Sequence, residues 1–259
     1  MQVASPGLSL VGFRRTPQPF FVDPRFRVET IAATPEPNRL VWRALHQDYS
    51  EGFVADQEAP DERKAAEIAI RNLLQGDRGH MGPYEHPQIS FNVGWFPHSV
   101  MQQARTHRIA SFDVQSCRYS GKRIVDVAEG KRELEEVFYI RPLGEYRDRS
   151  GKKYEYTEDW RSFDLKECMN AARIYADKIA QGFAEEHARG MIPFDFRQHF
   201  VVSLNARSLM HLFDLRSKAD AQIEIRWLCE LMMPRFREWM PELAEWYATH
   251  RYAKARLAP

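Results

Sequence analysis

Ile89-Ser90-Phe91-Asn92-Val93-Gly94-Trp95 alternates large apolar side chains with small or polar ones, and Pro97 follows shortly after. Successive side chains on a strand point to opposite faces, so this period of two predicts a strand with one buried face. Pro97 then opens a short helix in the first-turn position, where its missing N–H costs nothing. Val100, Met101 and Ala104 fall on one side of that helix. Upstream, residues 61–74 read as a helix: Asp61 can cap it, Glu62 lies in its first turn, and Gly76 sits just past its end. Downstream, Leu165, Met169, Ala172, Ile179 and Phe183 recur at helical spacing, which predicts a long helix over 165–189 stopped by Gly190. Two further helices are expected near 204–215 and 220–232, and Pro234 should end or kink the second.

The segments between these elements are less regular. Pro6, Pro17, Pro19, Pro24, Pro35 and Pro37 predict an extended, irregular arm over about residues 1–38, because proline fits neither a helix interior nor a central strand. Residues 111–119 are polar and aperiodic and read as a loop. Residues 137–140 suggest another strand. The charged, tyrosine-rich stretch 144–160, with Gly151, reads as an exposed hairpin or loop. The expected fold class is α+β: several helices packed on a small mixed or antiparallel sheet, without the strand–helix alternation of a doubly wound fold. We expect a single domain over the 259 residues.

Composition narrows the function classes. Apolar residues make up 44% and charged residues 28%, values suited to a soluble globular chain. Lys plus Arg number 37 against 36 Asp plus Glu, a net charge of +1. That balance argues against a general nucleic-acid binder, yet leaves room for a local cationic pocket. Cys117, Cys168 and Cys229 are widely spaced and odd in number, which fits neither a disulfide framework nor a Cys-x-x-Cys zinc site. Met1–Pro19 contains no long apolar run and carries Arg14 and Arg15, so neither a signal peptide nor a membrane span is expected. The reading is a cytoplasmic protein with no membrane partner.

Three segments hold more polar functionality than folding requires. Gly79-His80-Met81-Gly82-Pro83-Tyr84-Glu85-His86 contains two histidines and a carboxylate. It reads either as a metal site or as a polar turn before the strand, and its spacing does not match His-Glu-x-x-His. Gln102 to Ser111, continuing through Ser116-Cys117-Arg118-Tyr119, gathers Arg105, Arg108, Ser111, Ser116 and Arg118. Guanidinium groups pair with phosphate through two parallel hydrogen bonds and serine adds a neutral donor. An anion cradle and a solvated surface loop both fit that segment. Ser203 to His211, continuing to Asp214-Leu215-Arg216, places Arg207 and His211 on one helical face, with Leu204, Leu209, Leu212 and Phe213 as core. Its polar stripe reads as the lining of a ligand cleft or as an ordinary solvated face.

Taken together, the segments resemble the flavin-dependent thymidylate synthases. That family carries Arg-His-Arg, seven residues, Ser, then Arg-Tyr; here Thr106-His107-Arg108, seven residues, Ser116 and Arg118-Tyr119 stand in that order. Its Asn-Ala-Arg-Ser-Leu run leading to Leu-Arg matches Asn205–Leu209 and Leu215-Arg216, and its His, proline turn, aromatic, Glu, His pattern matches 80–86. The resemblance covers about 76–120 and 185–232 and does not extend to residues before 60 or to 121–160. It implies reductive methylation of dUMP to dTMP, with methylenetetrahydrofolate as carbon donor, FAD as cofactor and NADPH as its reductant. It also implies a homotetramer with shared active sites.

By the same resemblance, dUMP falls to Gln103, Ala104, Arg105, Thr106, Val114, Gln115, Ser116, Cys117, Arg118, Arg189 and Arg216. Arg216 takes the catalytic position that favours ionisation at N3 of the uracil ring. FAD falls to His80, Gly82, Thr106, His107, Arg108, Asn205, Arg207 and His211; no metal is implied. Ser116 reads as a hydrogen-bond donor and Cys117 as a small packed thiol, neither as a nucleophile. The chain departs from the family pattern at Thr106, which replaces an arginine, at Asp113 and Val114, at His211, which replaces an asparagine, and at Asp220, which replaces a histidine. A carboxylate at 220 beside reduced flavin would disfavour the flavin anion. Two other functions fit parts of the sequence: a non-catalytic nucleotide- or RNA-binding protein using the arginines of 105–118, and a metal-dependent phosphohydrolase using His80, Glu85 and His86.

Overall fold

A computed structural model describes residues 22–148 and 150–254. The chain opens with β1 (Arg27–Ala33) and α1 (Pro37–Gln47), the latter starting on a proline in its first turn. α2 (Glu62–Ala69) begins where the Asp61 carboxylate accepts the Lys64 N–H at 2.8 Å. It continues through one π-helical turn, Ile70–Leu74, and Gly76 then reverses the chain at φ 71°. β2 (Gln88–Pro97) buries Ile89, Phe91, Val93 and Phe96. A bulge explains the break in its alternation: Trp95 has φ 71°, the pairing shifts between Val93 and Phe96, and Phe96 rather than Trp95 enters the core. α3 (His98–Ala104), β3 (Ser111–Val114), α4 (Cys117–Ser120) and α5 (Lys122–Ala128) follow, then the hairpin β4 (Gly144–Arg147) and β5 (Lys153–Tyr156). α6 (Glu158–Ala180), α7 (Glu185–Ala188), β6 (Arg197–Asn205), α8 (Ala206–Arg216), α9 (Ile223–Trp239) and α10 (Pro241–His250) complete the described chain.

The main sheet is antiparallel throughout, in the order β1-β2-β6-β3. One face carries Ile89, Phe91, Val93, Phe200, Val202 and Leu204 into a core shared with Leu209, Leu212 and Phe213 of α8, Leu228, Met232 and Phe236 of α9, and Leu243 and Tyr247 of α10. Helices on one face of an antiparallel sheet make this an α+β arrangement. The opposite face is more polar: Ser90 and Ser203 hydrogen-bond there at 2.7 Å. A smaller core joins α5 and α6 through Ile124, Val127, Phe138, Ala172 and Tyr175. Arg197 fastens the two regions. Fully buried, it donates to the carbonyls of Glu135 (2.7 Å) and Trp95 (2.6 Å), pairs with the Asp23 carboxylate, and lies over the rings of Phe26 and Tyr139.

Several sequence expectations change. The part of the proline-rich arm before residue 22 lies outside the described residues. From Arg27 the arm is an edge strand and then a helix, with Pro24, Pro35 and Pro37 framing these elements rather than interrupting them. The expected loop over 111–119 is instead β3 and the single turn α4; the strand is exposed at a sheet edge, so its sequence is polar. Residues 137–140 form only one isolated bridge, Phe138 to Phe196, although all four are buried. The helix expected over 165–189 starts earlier, at Glu158, and breaks after Ala180, where Gly182 takes φ 82°. Leu204 belongs to β6, so α8 starts later than expected. Pro97 closes β2 and caps α3 rather than entering it. Pro234 lies inside α9, which runs on to Trp239 because Met232, Met233 and Phe236 are buried around the proline. Among the described residues, no helix is long and apolar enough to cross a membrane.

Candidate active site

β6 hands directly to α8, and that junction positions most of the site. Asn205 is the last residue of the strand and the cap of the helix: its Oδ1 accepts the Ser208 N–H at 2.7 Å. The strand register places Asn205 opposite Gln88, so the turn of residues 80–86 lies beside the start of α8. There Arg207 meets Glu85 at 2.5 Å, joining the first and third polar segments. His80 is exposed on the same turn, and Gly82 sits against it: a Cβ on Gly82 would come 4.0 Å from His80 Nε2.

The far end of α8 joins the second segment. Arg216 donates from Nη2 to Thr106 Oγ1 (2.7 Å) and to the Gln103 carbonyl (3.4 Å), and from Nε to His107 Nε2 (3.1 Å). The Thr106 hydroxyl donates its own hydrogen bond to the Gln103 carbonyl at 2.7 Å. Every one of these partners is neutral. Among the described residues no carboxylate pairs with the half-buried Arg216, whose desolvation lowers its pKa. A desolvated guanidinium without a counter-charge attracts an anion.

Accepting from Arg216 at Nε2 requires His107 to be neutral with its proton on Nδ1. Burial, the Arg216 charge and His211 together bring the His107 pKa down to about 4. The rings of His107 and His211 meet edge-on at 5.4 Å, and both Nδ1 atoms are buried without a protein partner. Buried polar atoms rarely go unsatisfied, so these two fit a bound group with polar edges.

A second cluster forms where β3 ends. Val114 pairs with Phe200 in β6. The Gln115 N–H donates to the His199 carbonyl (2.9 Å), and its carbonyl accepts from Gln198 Nε2 (3.0 Å). Ser116 caps α4, accepting the Arg118 N–H at 3.3 Å. Arg118 is exposed and lies 3.5 Å from Glu186 of α7. The buried Cys117 thiol is pushed up by desolvation, opposed by Arg123 and by Arg189, so Arg189 stands close to this cap. A raised thiol pKa agrees with a packed thiol rather than a nucleophile. Arg105 and Arg108 are exposed on the loop after α3, whereas Ala104 is buried and supports that loop.

The structure therefore brings Gln103, Thr106, His107, His211 and Arg216 into one cluster, Ser116, Cys117, Arg118 and Arg189 into another, and Glu85 with Arg207 into a third. Glu85 is committed to Arg207, and among the described residues no group of three or more His, Cys, Asp or Glu could hold a metal ion. Sequence reasoning missed Gln222, Glu224, Tyr139 and Ser99, which stand behind Gln103. The signal available was two polar residues, Gln222 and Glu224, flanking Ile223 at the start of α9.

An antiparallel sheet backed by helices, with cationic clusters at its strand–helix junctions and an uncompensated guanidinium held against a neutral histidine, is the architecture of a nucleotide-handling protein. The backbone superposes with a TM-score of 0.70 on the UMP/dUMP methylase PolB from Streptomyces cacaoi bound with 5-Br dUMP, at 24% identity over 90% of this chain and 97% of that one. It superposes at 0.61 on thymidylate synthase X from Helicobacter pylori with FAD and dUMP, at 21% identity over 80% and 92%. These likenesses establish the fold. The chain belongs to the thymidylate synthase complementing protein family, Thy1, whose model matches residues 29–242. Flavin-dependent thymidylate synthases of Halobacterium salinarum (33% identical, covering 90% of this chain and all of that one) and Haloarcula marismortui (34%, covering 90% and 99%) are relatives.

Proposed function

We propose that this protein is a flavin-dependent thymidylate synthase, converting dUMP to dTMP. Arg216 carries the reading: it is half-desolvated, lacks an anionic partner among the described residues, and is held at three neutral acceptors drawn from 103–107. Uracil C5 is a weak carbon nucleophile. Loss of the N3 proton moves electron density into the ring, and a fixed guanidinium stabilises the charge that results. Arg216 holds that charge, and its neutral partners keep the guanidinium aimed without cancelling it. Gln103, Ala104, Arg105 and Thr106 frame the nucleotide. Val114, Gln115, Ser116, Cys117, Arg118 and Arg189 form the cradle for its phosphate. The carbon comes from methylenetetrahydrofolate.

The residues present fit a flavin: two buried imidazole Nδ1 atoms without partners face one cluster, and Arg207 and Asn205 lie at the start of the same helix. His80, Gly82, Thr106, His107, Arg108, Asn205, Arg207 and His211 would hold FAD. When bound and reduced by NADPH, it supplies the hydride that completes the methyl group. Thr106 contributes a hydroxyl where the family pattern has a cation, and in this chain that hydroxyl receives Arg216. We place the assembly as a homotetramer whose sites are completed by neighbouring subunits; the exposed Arg105 and Arg108 support this, since they are available to a second protomer. The three cysteines are free, buried thiols, which suits a reducing, cytoplasmic setting.

The test is direct. The purified protein should be yellow and should form dTMP from dUMP, methylenetetrahydrofolate and NADPH. Arg216→Ala should lose dTMP formation by about 100-fold or more while keeping the flavin spectrum. A colourless protein that takes up no FAD and leaves dUMP unchanged would refute the assignment.

A further inference from the structure

Behind Arg216 runs a line of hydrogen bonds with a defined direction. The buried Glu224 carboxylate accepts from Tyr139 Oη (3.1 Å) on one oxygen and from Gln222 Nε2 (2.8 Å) on the other. Gln222 Nε2 also approaches Ser99 Oγ at 3.4 Å. With its NH2 turned toward the carboxylate, Gln222 presents its carbonyl oxygen to Gln103, whose Nε2 donates to it. Gln103 in turn offers its main-chain carbonyl to Arg216. An amide can present either end to a neighbour, whereas a carboxylate only accepts. The acceptor at 224 therefore fixes the orientation of Gln222, and Gln222 fixes that of Gln103.

We propose that Glu224 is a positioning residue for Arg216: by fixing Gln222 it ties down the side chain of Gln103, the residue whose main-chain carbonyl accepts from Arg216. This rests on the synthase reading only in assigning Arg216 its task at the uracil ring. The mechanical reason lies in chain order. Arg216 ends α8 and Gln222 precedes α9, so the short connection between them is tied to the end of α3 at two points. One tie is the Arg216 guanidinium itself; the other is the Gln222–Gln103 amide pair. The second holds the connection in place while the first engages substrate. Tyr139 and the nearby Arg141 guanidinium keep the carboxylate in its buried position.

The relay has a polarity that substitution can loosen and restore. Glu224→Gln keeps the volume but replaces an acceptor-only group by an amide that can turn either end to Gln222, so Gln222 and then Gln103 lose their fixed orientation. Gln222→Glu alone sets two carboxylates against each other. The double substitution Gln222→Glu with Glu224→Gln restores an acceptor facing Gln103 and a donor–acceptor pair behind it. We expect Glu224→Gln to lower kcat for dTMP formation about ten-fold with the KM for dUMP changed less than about two-fold, and the double variant to recover most of the loss. A readout independent of turnover is the titration of His107, followed by NMR with 13Cε1-labelled histidine. The groups acting on His107 are Arg216 and His211, beyond burial itself. Burial is the largest cause and stays, so only the Arg216 share is released: the midpoint should rise above about 4 in Glu224→Gln and return in the double variant. Should Glu224→Gln fail to fold, Gln222→Met, which removes the relay at a half-buried position, should give the same kcat loss and the same His107 shift. An unchanged kcat and His107 midpoint in a folded single variant, or a double variant no better than the singles, overturns the relay. A wild-type protein that makes no dTMP overturns the synthase reading instead, and the His107 titration still decides whether Glu224 holds Arg216.

Discussion

His107 offers a quantitative check on the site, because its contact with Arg216 exists only while the imidazole is neutral. In the folded protein its pKa lies at about 4 against 6.5 for a free histidine. Between those values the unfolded chain takes up a proton that the folded chain refuses, so acid favours unfolding. The contribution is fully favourable above about pH 7, weakens as the pH falls through 6.5, and reaches its limit below 4. Linkage over this shift gives a loss of about 2 kcal/mol between pH 8 and pH 5 from this one residue. His107→Gln removes the titration while leaving an amide oxygen that can accept the Arg216 Nε–H. The assay is urea denaturation of wild type and variant at both pH values. His199, also held low by burial, contributes equally to both proteins and cancels in the difference. Wild type should lose about 2 kcal/mol more than the variant on acidification. Equal losses in the two proteins would refute a neutral, buried His107 supporting Arg216.

Three further outcomes follow from the structure. Asp23→Ala leaves the fully buried Arg197 guanidinium without its counter-charge and should cost about 3–5 kcal/mol, read as a lowered urea midpoint. Gly121→Ala would place a Cβ 2.1 Å from Tyr175 Oη and 2.7 Å from the Cys117 carbonyl, so α4 must shift. That should cost about 1–3 kcal/mol in denaturation and raise the KM for dUMP more than it lowers kcat, because the phosphate cradle moves. Glu85→Gln removes an exposed ion pair with Arg207. It should change stability by less than about 1 kcal/mol, and equilibrium FAD titration should show an altered Kd, since Arg207 is then free to reorient.

What the sequence revealed depended on how each element is buried. α2 was legible from Asp61 to its end because a capping carboxylate and a terminal glycine are local devices. β2 was legible because its inward residues alternate up to the bulge. β6 was not, although Phe200, Val202 and Leu204 alternate inward, because the Asn-Ala-Arg-Ser-Leu helix start follows without a loop and draws Leu204 into it. β1 and β3 are edge strands that bury few of their residues, so neither carries the apolar signature of a central strand. Pro234 does not end its helix, since tertiary burial carries α9 on past it.

The site shows the same division between local and non-local information. Each polar segment alone was compatible with a solvated surface, and no spacing within a segment could bring them together. Strand pairing does so. Gln88 opposite Asn205 carries residues 80–86 to the start of α8, which is why Glu85 finds Arg207. Ser111 opposite Ser203 carries the 105–110 loop to the same end of β6, so α8 runs past Thr106 and His107 before presenting Arg216. Because β6 lies between β2 and β3, one strand serves as the common reference for all three segments. The polar relay behind Gln103 depends on a further level, the docking of α9 against α3, and that contact has no counterpart in sequence spacing at all. A register slip of one residue in β6 would reverse its inward face and move both ends of α8 together, so the nucleotide cluster and the flavin cluster stand or fall as a unit with that strand.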